Sequence, residues 1–463
     1  MSDRSNSAVD RDIAYHLHPY TNARKNESEG SLIIDRGEGV YVIDSQGNRY
    51  LEAMAGLWCT GLGFSEERLV KAASEQLARL PYYHSFAQKT AGPAVDLAEK
   101  LVGMTPPQLT KVFFANSGSE ANDSAIKMVW YYNNALGRPQ KKKIISRVKG
   151  YHGVTIAAAS LTAMPYVQAG FDLPIANIIH TGAPHHYRFA EDGENEEAFT
   201  DRLARELENL ILQEGPETIA AFIGEPLQGA GGVIVPPEGY WAKIQAVLKK
   251  YDVLLIADEV ICGFGRTGRM FGSETFGLEP DIMTCAKQLS SAYVPISAVL
   301  ISDPIYQAIA DSSAKLGSFG HGYTYGAHPV AAAVALETLK IYEERQIVEH
   351  VQAMAPRLQD GLRRFQDSPI VGEVRGIGLI AAAELVADKA AKTPFDPPGK
   401  VGAYFAARAQ AQGVLFRNLG DTIAVCPPMV ITEAEIDRLL EGFGTALSET
   451  EAWVAAEGLA AVA

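Results

Sequence analysis

Residues 252 to 287 read DVLLIADEVICGFGRTGRMFGSETFGLEPDIMTCAK. This stretch contains two short apolar runs, and an ionisable residue closes each of them, Asp258 the first and Lys287 the second. Apolar runs of this length, without polar alternation, are typical of strands that a parallel sheet buries on both faces. Ligands bind outside the carboxyl ends of such strands, so Asp258 and Lys287 are the first candidates for functional residues.

The same arrangement of strand, turn and helix extends outward on both sides of this stretch. Further strands, buried on both faces, are predicted at KVFFA (111–115), KIISRV (143–148) and TIAAFIG (218–224), with another at SAVLIS (297–302). Helices are predicted from Ser119 to Leu136, from Tyr240 to Lys250 and from Pro329 to Glu344. Alternating strands and helices are the βαβ signature, so the sequence predicts an α/β fold around a mainly parallel sheet.

A smaller α+β domain is predicted from the two ends of the chain. Towards the C-terminus lie the run GIGLIAAAEL (376–385), a helical stretch from 401 to 412 and a final Ala-rich helix. The N-terminal segment YVIDSQGNRYLEA (41–53) resembles a hairpin around Gln46 and Gly47, and we place it with this domain. The predicted division is 1–75 and 336–463 for the two parts of the small domain, and 76–335 for the large domain.

Composition excludes several classes of protein. The 463 residues include 41 Lys and Arg against 55 Asp and Glu, a net charge of −14 that repels phosphate backbones, so nucleic acid is not an expected partner. The four cysteines lie far apart without CxxC spacing, which fits a reducing compartment. The N-terminus MSDRSNSAVDRD is polar, and no apolar run approaches the ~20 residues of a membrane span. We expect a soluble, cytoplasmic protein.

Two pairs of histidines could suggest a metal site. They are His16 with His18, and His185 with His186. Neither pair has helical HxxxH spacing or an evident acidic partner, so we expect loop histidines and no bound metal.

A turn of small residues follows the strand KVFFA. It reads Asn116-Ser117-Gly118-Ser119-Glu120 and opens a predicted helix. Free N–H groups at the start of a helix bind anions, and phosphate is the natural guest. The same residues also fit a simple capped helix start, with Ser117 or Ser119 as N-cap.

Two further strand ends extend this chemistry. After KIISRV, the loop Gly150-Tyr151-His152-Gly153 holds an aromatic ring that can lie flat on a planar ligand or pack on the core. Lys287 is either a solvated head on a buried stem or, with a lowered pKa, an amine that forms a Schiff base. An anion-binding turn, a stacking aromatic, a carboxylate for a ring nitrogen and an amine for an aldehyde are the features that pyridoxal phosphate requires.

Residues 263–268, GFGRTG, formally match the GxGxxG pattern of dinucleotide-binding proteins. That fingerprint requires the glycines to open a helix, whereas RMFGSETFG follows here, with further glycines and no apolar period of 3.6. An NAD(P)-dependent oxidoreductase is therefore the alternative from a different class, and it is not favoured.

The sequence resembles the class III, fold-type I aminotransferases, particularly the ω-amino acid and amine:pyruvate transaminases. The resemblance covers nearly the whole chain and rests on NSGSEAND, KGYHG, GEPLQGAGG, IADEVICGFGRTG, AKQLSSAYVPISAV, HGYTYGAHPVAAAVALETL and LFRNLGDTIAVCPPMVIT. The 29-residue spacing from Asp258 to Lys287 also matches the family pattern. The resemblance implies a large domain with a seven-stranded sheet, pyridoxal 5'-phosphate as cofactor, and a homodimer with active sites at the interface.

The resemblance also implies a role for each residue of the site. Lys287 would form the Schiff base, and Asp258 would pair with the pyridinium nitrogen. The other cofactor contacts would be Ser117, Gly118 and Ser119 on the phosphate, Tyr151 and Val260 on the two faces of the ring, Glu225 near the phenolic side, and His152 in support of the same loop. Tyr323 and Thr324 would come from the neighbouring subunit, with Thr324 on the phosphate.

The substrate pocket is implied in the same way. Arg417 resembles the family's mobile arginine, which meets a substrate carboxylate and swings away for an uncharged amine. The aromatic walls would be Tyr20, Trp58, Phe86 and Tyr151, with Ala230 on the opposite rim. No second cation is clearly placed for a distal carboxylate, which disfavours 4-aminobutyrate or ornithine with 2-oxoglutarate.

These implications predict a ping-pong aminotransferase that moves an amino group from an amine or ω-amino acid to pyruvate or a similar keto acid, with preference for the (S)-amine. The alternatives within the family are 4-aminobutyrate aminotransferases, dialkylglycine decarboxylases and semialdehyde aminomutases.

Overall fold

The computed structural model describes residues 7–459, so the first six residues of the polar N-terminus and the last four residues of the predicted small domain lie outside it. The strands, numbered along the chain, are β1 Ile34–Glu38, β2 Tyr41–Asp44, β3 Arg49–Glu52, β4 Leu109–Ala115, β5 Lys143–Arg147, β6 Ile178–Thr181, β7 Ile219–Gly224, β8 Leu254–Asp258, β9 Ile282–Cys285, β10 Ser297–Ser302, β11 Val371–Ile377, β12 Ile380–Leu385, β13 Val414–Leu415, β14 Arg417–Leu419 and β15 Thr422–Val425.

The α-helices are α1 Ala8–Tyr15, α2 Ala23–Glu29, α3 Ala55–Trp58, α4 Glu67–Arg79, α5 Gly92–Met104, α6 Gly118–Ala135, α7 Ile156–Leu161, α8 Pro165–Gln168, α9 His186–Phe189, α10 Glu196–Glu214, α11 Tyr240–Lys250, α12 Gly272–Phe276, α13 Asp303–Leu316, α14 Pro329–Glu344, α15 Ile347–Arg363, α16 Lys400–Ala411 and α17 Glu433–Ala456. Short 3-10 helices lie at Pro216–Thr218, Lys287–Ser290 and Arg364–Asp367.

A seven-stranded sheet forms the centre of the molecule, in the order β4-β10-β9-β8-β7-β5-β6. Strands β6, β5, β7, β8 and β9 pair in parallel, and β10 runs antiparallel to both β9 and β4. The predicted α/β class, with a mainly parallel sheet, is confirmed. The carboxyl ends of β5, β7, β8 and β9 therefore meet at one edge, and this edge carries the candidate site.

Helices cover both faces of this sheet. On one face, buried Ala125 and Val129 of α6 belong to the same apolar cluster as Ile256 of β8. On the other face, Leu207 of α10 and Trp241 of α11 pack in a cluster with strand residues of β7 and β8. Because β8 is buried from both sides, its last residue, Asp258, is held in a fixed position at the edge of the sheet.

Two four-stranded sheets have the orders β1-β2-β3-β13 and β11-β12-β15-β14, and the first of them joins the two ends of the chain. The predicted hairpin is present: β2 pairs antiparallel with β3, and Asp44 Oδ1 accepts backbone hydrogen bonds from Gln46 and Asn48 across the turn. β3 pairs in parallel with β13, where Val414 faces Leu51. The N-terminal hairpin therefore belongs with the C-terminal elements, as the sequence predicts.

One strand differs from its prediction. KVFFA lies in β4, but the prediction that it is buried on both faces is wrong, since Lys111 is exposed and Phe113 is only half-buried. The reason is topological, because β4 is the edge strand and has a single neighbour in the sheet. The sequence also missed β6, the opposite edge, whose IIHT is too short and too polar to be recognised.

The boundaries of the two domains stay a prediction. The divisions after residues 75 and 335 both lie inside helices, α4 and α14, and these helices pack on each other. Within residues 7–459, no helix has both the length and the apolar character needed to cross a bilayer.

Candidate active site

The carboxyl ends of the strands surround a cavity of about 430 Å³. The residues that line it include most of the predicted cofactor contacts, namely Ser117, Gly118, Ser119, Tyr151, His152, Glu225, Asp258, Val260 and Lys287. The structure thus brings together residues from five separate parts of the sequence.

Asp258 ends β8 and is only 2% exposed. Its Oδ2 accepts hydrogen bonds from Asn122 Nδ2 and from His152 Nδ1, both at 2.8 Å, and its Oδ1 accepts from the backbone N–H of Val260 at 3.1 Å. Because an ionised carboxylate only accepts, these bonds place the proton of His152 on Nδ1. The carboxylate is therefore fixed in orientation and stabilised as an anion.

Asn122 is the residue that connects this network. Its Nδ2 also donates to the carbonyl of His152 at 2.7 Å, and its Oδ1 accepts from Thr284 Oγ1 at 2.8 Å. Asn122 lies on α6, so one amide fastens the helix after β4, the loop after β5 and the strand β9 around Asp258. A polar residue on the buried face of a helix is the one signal by which the sequence could have indicated it.

Lys287 begins the 3-10 helix after β9 and has a φ of +49°, a left-handed conformation that is uncommon for a residue with a side chain. The side chain is half-buried at the cavity wall. Burial lowers the pKa of its ammonium group, Asp258 acts in the opposite direction, and Arg417 lowers the pKa further. A larger fraction of Lys287 is thereby the neutral amine, which is the nucleophilic form.

The turn after β4 has the form of an anion site. Ser117 is the N-cap of α6, and its Oγ accepts from the N–H of Glu120 at 3.2 Å. The N–H groups of Gly118 and Ser119 are the first of the helix and have no acceptor within it. A Cβ on Gly118 would lie 3.2 Å from both methyl carbons of Val260, so the glycine lets Val260 lie closely over the turn.

The loop after β5 is joined to this turn and to a second carboxylate. Gly153 has a φ of +130°, and a Cβ there would lie 2.4 Å from Ser119 Oγ. Glu225, after β7, accepts from the N–H of Tyr151 at 3.0 Å and from the N–H of Gly229 at 2.8 Å. Burial raises the pKa of the Glu225 carboxyl. Glu225 therefore holds the Tyr151 loop against the loop that carries Ala230.

Some of the remaining predicted residues lie at the rim of the cavity. The hydroxyl groups of Tyr20 and Tyr151 are 3.3 Å apart, and Tyr151 and Ala230 pack against the same small apolar cluster. Arg417 begins β14 and is close enough to lower the pKa values of both Lys287 and Tyr151, while burial and Tyr20 raise that of Tyr151. Among residues 7–459, no carboxylate forms an ion pair with Arg417.

The lining of this chain's own cavity includes neither Trp58 nor Phe86. Trp58 is 2% exposed and packs in an apolar cluster with Ile261, whereas its neighbours Leu57 and Cys59 reach the cavity. The backbone explains this arrangement, because Ala55, Gly56 and Trp58 all have positive φ. Phe86 is 44% exposed, and a Cβ on Gly322 would come within 2.5 Å of its ring.

Phe86 therefore belongs with the segment of Tyr323 and Thr324, outside this chain's own cavity. Thr324 is exposed, and its carbonyl accepts from the hydroxyl of Tyr82 at 2.7 Å. Tyr323 turns towards its own α6, where its hydroxyl lies 3.0 Å from Ser124 Oγ.

The prediction that the four paired histidines are loop residues without acidic partners is wrong in part. His186 begins α9 and is not in a loop. Acidic partners come together with three of the four histidines in the fold: Asp12 with His16 and His18, and Glu373 and Glu384 with His185. The first of these partners lies only four residues before His16, and the other two are distant in sequence.

The GFGRTG segment does not open a helix, which confirms that it is no dinucleotide fingerprint. The segment forms turns, and the next helix, α12, begins only at Gly272. Arg266 is buried and donates to the carbonyls of Leu379 and Pro427.

The cavity residues fit pyridoxal phosphate. The turn at Gly118 and Ser119 offers free N–H groups to a phosphate, and Asp258 offers an oriented carboxylate to a cationic ring nitrogen. Lys287 offers an amine to the aldehyde, and Val260 packs closely against Gly118 of the turn.

Comparison with known proteins agrees with this geometry. Residues 22–447 match the family model of the class III aminotransferases, so the chain belongs to this family, whose members use pyridoxal phosphate. The chain is 55% identical over 436 residues to gamma aminobutyrate transaminase 1, mitochondrial, from Solanum lycopersicum, which covers 94% of this chain and 85% of that protein. It is 53% identical over 457 residues to the corresponding enzyme of Oryza sativa subsp. indica, covering 98% and 89%.

Solved structures show the same likeness. An omega transaminase from Pseudomonas jessenii, solved in complex with PMP, has 60% identity and a TM-score of 0.96, covering 97% of this chain and 99% of that chain. A thermostable omega transaminase variant, PjTA-R6 W58M/F86L/R417L, engineered for asymmetric synthesis of enantiopure bulky amines, has 59% identity and a TM-score of 0.96, covering 97% and 100%.

Gly153→Ala should weaken retention of pyridoxal phosphate, because its Cβ would displace Ser119 and with it the anion-binding turn. Such overpacking costs about 1–3 kcal/mol, which corresponds to a roughly five- to hundredfold loss of affinity. Gly170→Ala is the matched control, since Gly170 also has a positive φ but nothing within 4 Å of the added carbon. Dialysis followed by titration of the cofactor measures both, and equal affinity in the two variants would contradict the role of this turn.

Proposed function

We propose that this aminotransferase moves an amino group from an amine or ω-amino acid to pyruvate or a similar monocarboxylate keto acid, in a ping-pong reaction. The observation that supports this most is Arg417, an arginine without an ion pair among the described residues and close enough to the cavity to act on Lys287. One guanidinium fork binds one carboxylate in a bidentate contact. The same position is open to an uncharged substituent when Arg417 turns away.

The residues of the cavity divide the chemistry among themselves. Pyridoxal phosphate, when bound, supplies an electron sink for the bond that breaks at the substrate carbon. Asp258, held by Asn122 and His152, would face the ring nitrogen and keep a proton there. Lys287 Nζ, with its lowered pKa, would take the proton from the substrate carbon and hold it for return. Tyr151 and Val260 would lie on the two faces of the ring.

The choice of keto acid acceptor depends on how many cationic side chains near the cavity are free to bind a carboxylate. A dicarboxylate such as 2-oxoglutarate needs a second cation for its distal carboxylate. Arg266, a guanidinium that acts on the cavity residue Cys59, is already bound to the carbonyls of Leu379 and Pro427. A monocarboxylate acceptor therefore fits better.

4-Aminobutyrate is an equally supported donor. The plant relatives at 53–55% identity are named gamma-aminobutyrate transaminases. This donor carries one carboxylate, which Arg417 can bind without any second cation. The proposal therefore combines an ω-amino acid donor with pyruvate, and 4-aminobutyrate aminotransferase is its most specific form.

Amine donors are supported by the other group of relatives. The engineered omega transaminase was altered at residues whose types and numbers are those of Trp58, Phe86 and Arg417 here. We therefore keep all three residues as determinants of the substrate pocket, together with Tyr20, Tyr151 and Ala230, and keep the (S)-amine as the preferred enantiomer. Decarboxylase and aminomutase activities of the same family remain alternatives, and both are distinguished by their products.

We further propose a homodimer in which each chain completes its partner's site. Thr324 is exposed next to the Tyr82 hydroxyl, and the exposed aromatic side chains of Phe86 and Tyr325 lie in the same region. Exposed aromatics in this number are typical of an interface. In this arrangement Phe86 enters the partner's site together with Thr324, which explains why it lies outside its own chain's cavity.

A cytoplasmic location remains our proposal, which the four free cysteines support.

Arg417→Ala removes the partner of the substrate carboxylate, a charge-assisted contact worth about 1.5–3 kcal/mol. The half-reactions of alanine and 4-aminobutyrate should therefore slow roughly ten- to hundredfold in kcat/KM, while that of 1-phenylethylamine should change little. Arg417→Lys should be intermediate, since it keeps the charge but loses the fork. Stopped-flow spectroscopy measures each half-reaction separately.

An equal loss for the amine and the two amino acids would mean that Arg417 has only a structural role. Turnover of 2-oxoglutarate as fast as pyruvate would contradict the proposed acceptor, even if the Arg417 results agree.

Mixing two impaired variants tests the shared site. Lys287→Ala and a severely impaired Thr324 variant should each be nearly inactive, yet hybrid dimers should regain activity because one of their two sites has both residues intact. Native mass spectrometry confirms that hybrids form. If hybrids form and activity does not return, Thr324 acts within its own subunit or not at all.

A further inference from the structure

We propose that Asp12, His16 and His18 form a binding site for a divalent transition-metal ion, with Zn²⁺ as the natural occupant, and that this ion fixes the N-terminal segment that carries Tyr20. We call these three residues the Asp12 triad. Two imidazoles and one carboxylate are the ligands that Zn²⁺, Co²⁺ and Ni²⁺ accept. The site lies outside the catalytic cavity, and its assignment does not rest on the reaction proposed for that cavity.

The geometry of the Asp12 triad is close to that of a coordination shell. His16 Nδ1 lies 3.1 Å from Asp12 Oδ1, and His18 Nε2 lies 2.7 Å from Asp12 Oδ2. Neighbouring ligand atoms of a tetrahedral zinc ion are about 3.4 Å apart, given zinc–ligand distances of about 2.1 Å. The three ligand atoms all lie within 4.8 Å of one another. An ion can therefore take the place of the protons in the two hydrogen bonds between Asp12 and the histidines, with small rotations of the imidazole rings.

The carboxylate is ready for a cation. Its two oxygens face the two imidazoles, Oδ1 towards His16 Nδ1 and Oδ2 towards His18 Nε2. Ser31 Oγ donates to Asp12 Oδ2 at 2.6 Å and orients it, as a second hydrogen-bonding partner does in known metal sites. Among residues 7–459, only the two histidines form ion pairs with Asp12.

The other histidine cluster shows why charge matters. His185 lies 3.0 Å from Glu373, but Arg375 Nη1 is 2.6 Å from carboxylate oxygens of both Glu373 and Glu384, and Arg188 also bonds to Glu384. Two guanidinium groups already neutralise these carboxylates, so a metal ion would meet repulsion there. Within the described part of the chain, no guanidinium or ammonium group forms an ion pair with Asp12.

The Asp12 triad is accessible to a metal ion from solvent, and the N-terminal segment lacks another anchor. The His16 side chain is 60% exposed, and a cavity of about 270 Å³ lies beside the two histidines, with room for water as a fourth ligand. Helices α1 and α2 contain no buried residue, so no apolar core anchors this segment. Where a core is missing, a metal ion is a common substitute.

The position of the site links it to the substrate rim. Tyr20 follows His18 by two residues, and its hydroxyl meets that of Tyr151 at 3.3 Å. An ion in the Asp12 triad would limit the motion of the backbone that leads to Tyr20.

The test is an isothermal titration calorimetry experiment, in which ZnCl₂ is added to EDTA-treated holoenzyme in a buffer without chelators. One Zn²⁺ per subunit should bind in the micromolar range, with release of protons because the imidazoles must be neutral and unprotonated at the metal-binding nitrogen. Asp12→Asn and His18→Ala should each lower the affinity at least tenfold. Asp35→Asn, an exposed acid of the neighbouring strand β1, is the control and should leave the affinity unchanged.

A second measurement does not depend on calorimetry. Zn²⁺ should slow cleavage by trypsin after Arg11, Arg24 and Lys25 in the wild type, and should have no effect in the His16→Ala/His18→Ala variant. The proposal is overturned if the wild type shows no saturable binding in that range, or if this double variant binds Zn²⁺ as tightly as the wild type.

Discussion

The hydrogen bonds that hold the Asp258 carboxylate are the constraint on which the rest of the site depends. Asn122 and His152 each donate to the same oxygen at 2.8 Å, and they come from the helix after β4 and the loop after β5. The helix N-terminus that would bind the phosphate begins at Gly118, one turn before Asn122 on the same helix. The loop that would stack on the ring includes the residue next to His152. One network therefore places the residues that would bind the phosphate, stack on the ring and meet the ring nitrogen.

Electrostatics connects this network to the substrate. Burial and Arg417 both lower the pKa of Lys287, and Asp258 opposes them. A substrate carboxylate that pairs with Arg417 would cancel part of its effect on Lys287. The same arginine would therefore adjust the basicity of the lysine according to whether the bound substrate carries a charge. The proposed reaction, in which an amine and a keto acid share one cavity, would use this property.

Much of this could be predicted from the sequence, because the strongest signals are local. Apolar runs that end at Asp258 and Lys287, and a small-residue turn at Gly118, indicate strand ends and an anion site wherever they occur. The errors arose where distant parts of the chain decide the outcome. Burial of KVFFA was overestimated because only the strand order shows that β4 is an edge.

Other residues could not be assigned from local sequence at all. Trp58 lies inside the core, and Leu57 at the cavity, because Ala55, Gly56 and Trp58 adopt positive φ values. The partners of His185 are 188 residues or more away in the sequence, and the role of Asn122 depends on three elements that meet only in the fold.

The central claim is that the Asp258 carboxylate maintains the electron sink, and one substitution tests it. Asp258→Asn keeps the size of the side chain and removes its charge. The single-turnover rate of the alanine half-reaction should fall about 10²–10³-fold, as when an oriented electrostatic partner is removed from an active site. Asp281→Asn is the matched control, because Asp281 accepts a backbone hydrogen bond from Leu255 at the opposite end of the strands. A rate within twofold of the wild type for Asp258→Asn, with cofactor bound, would contradict the account.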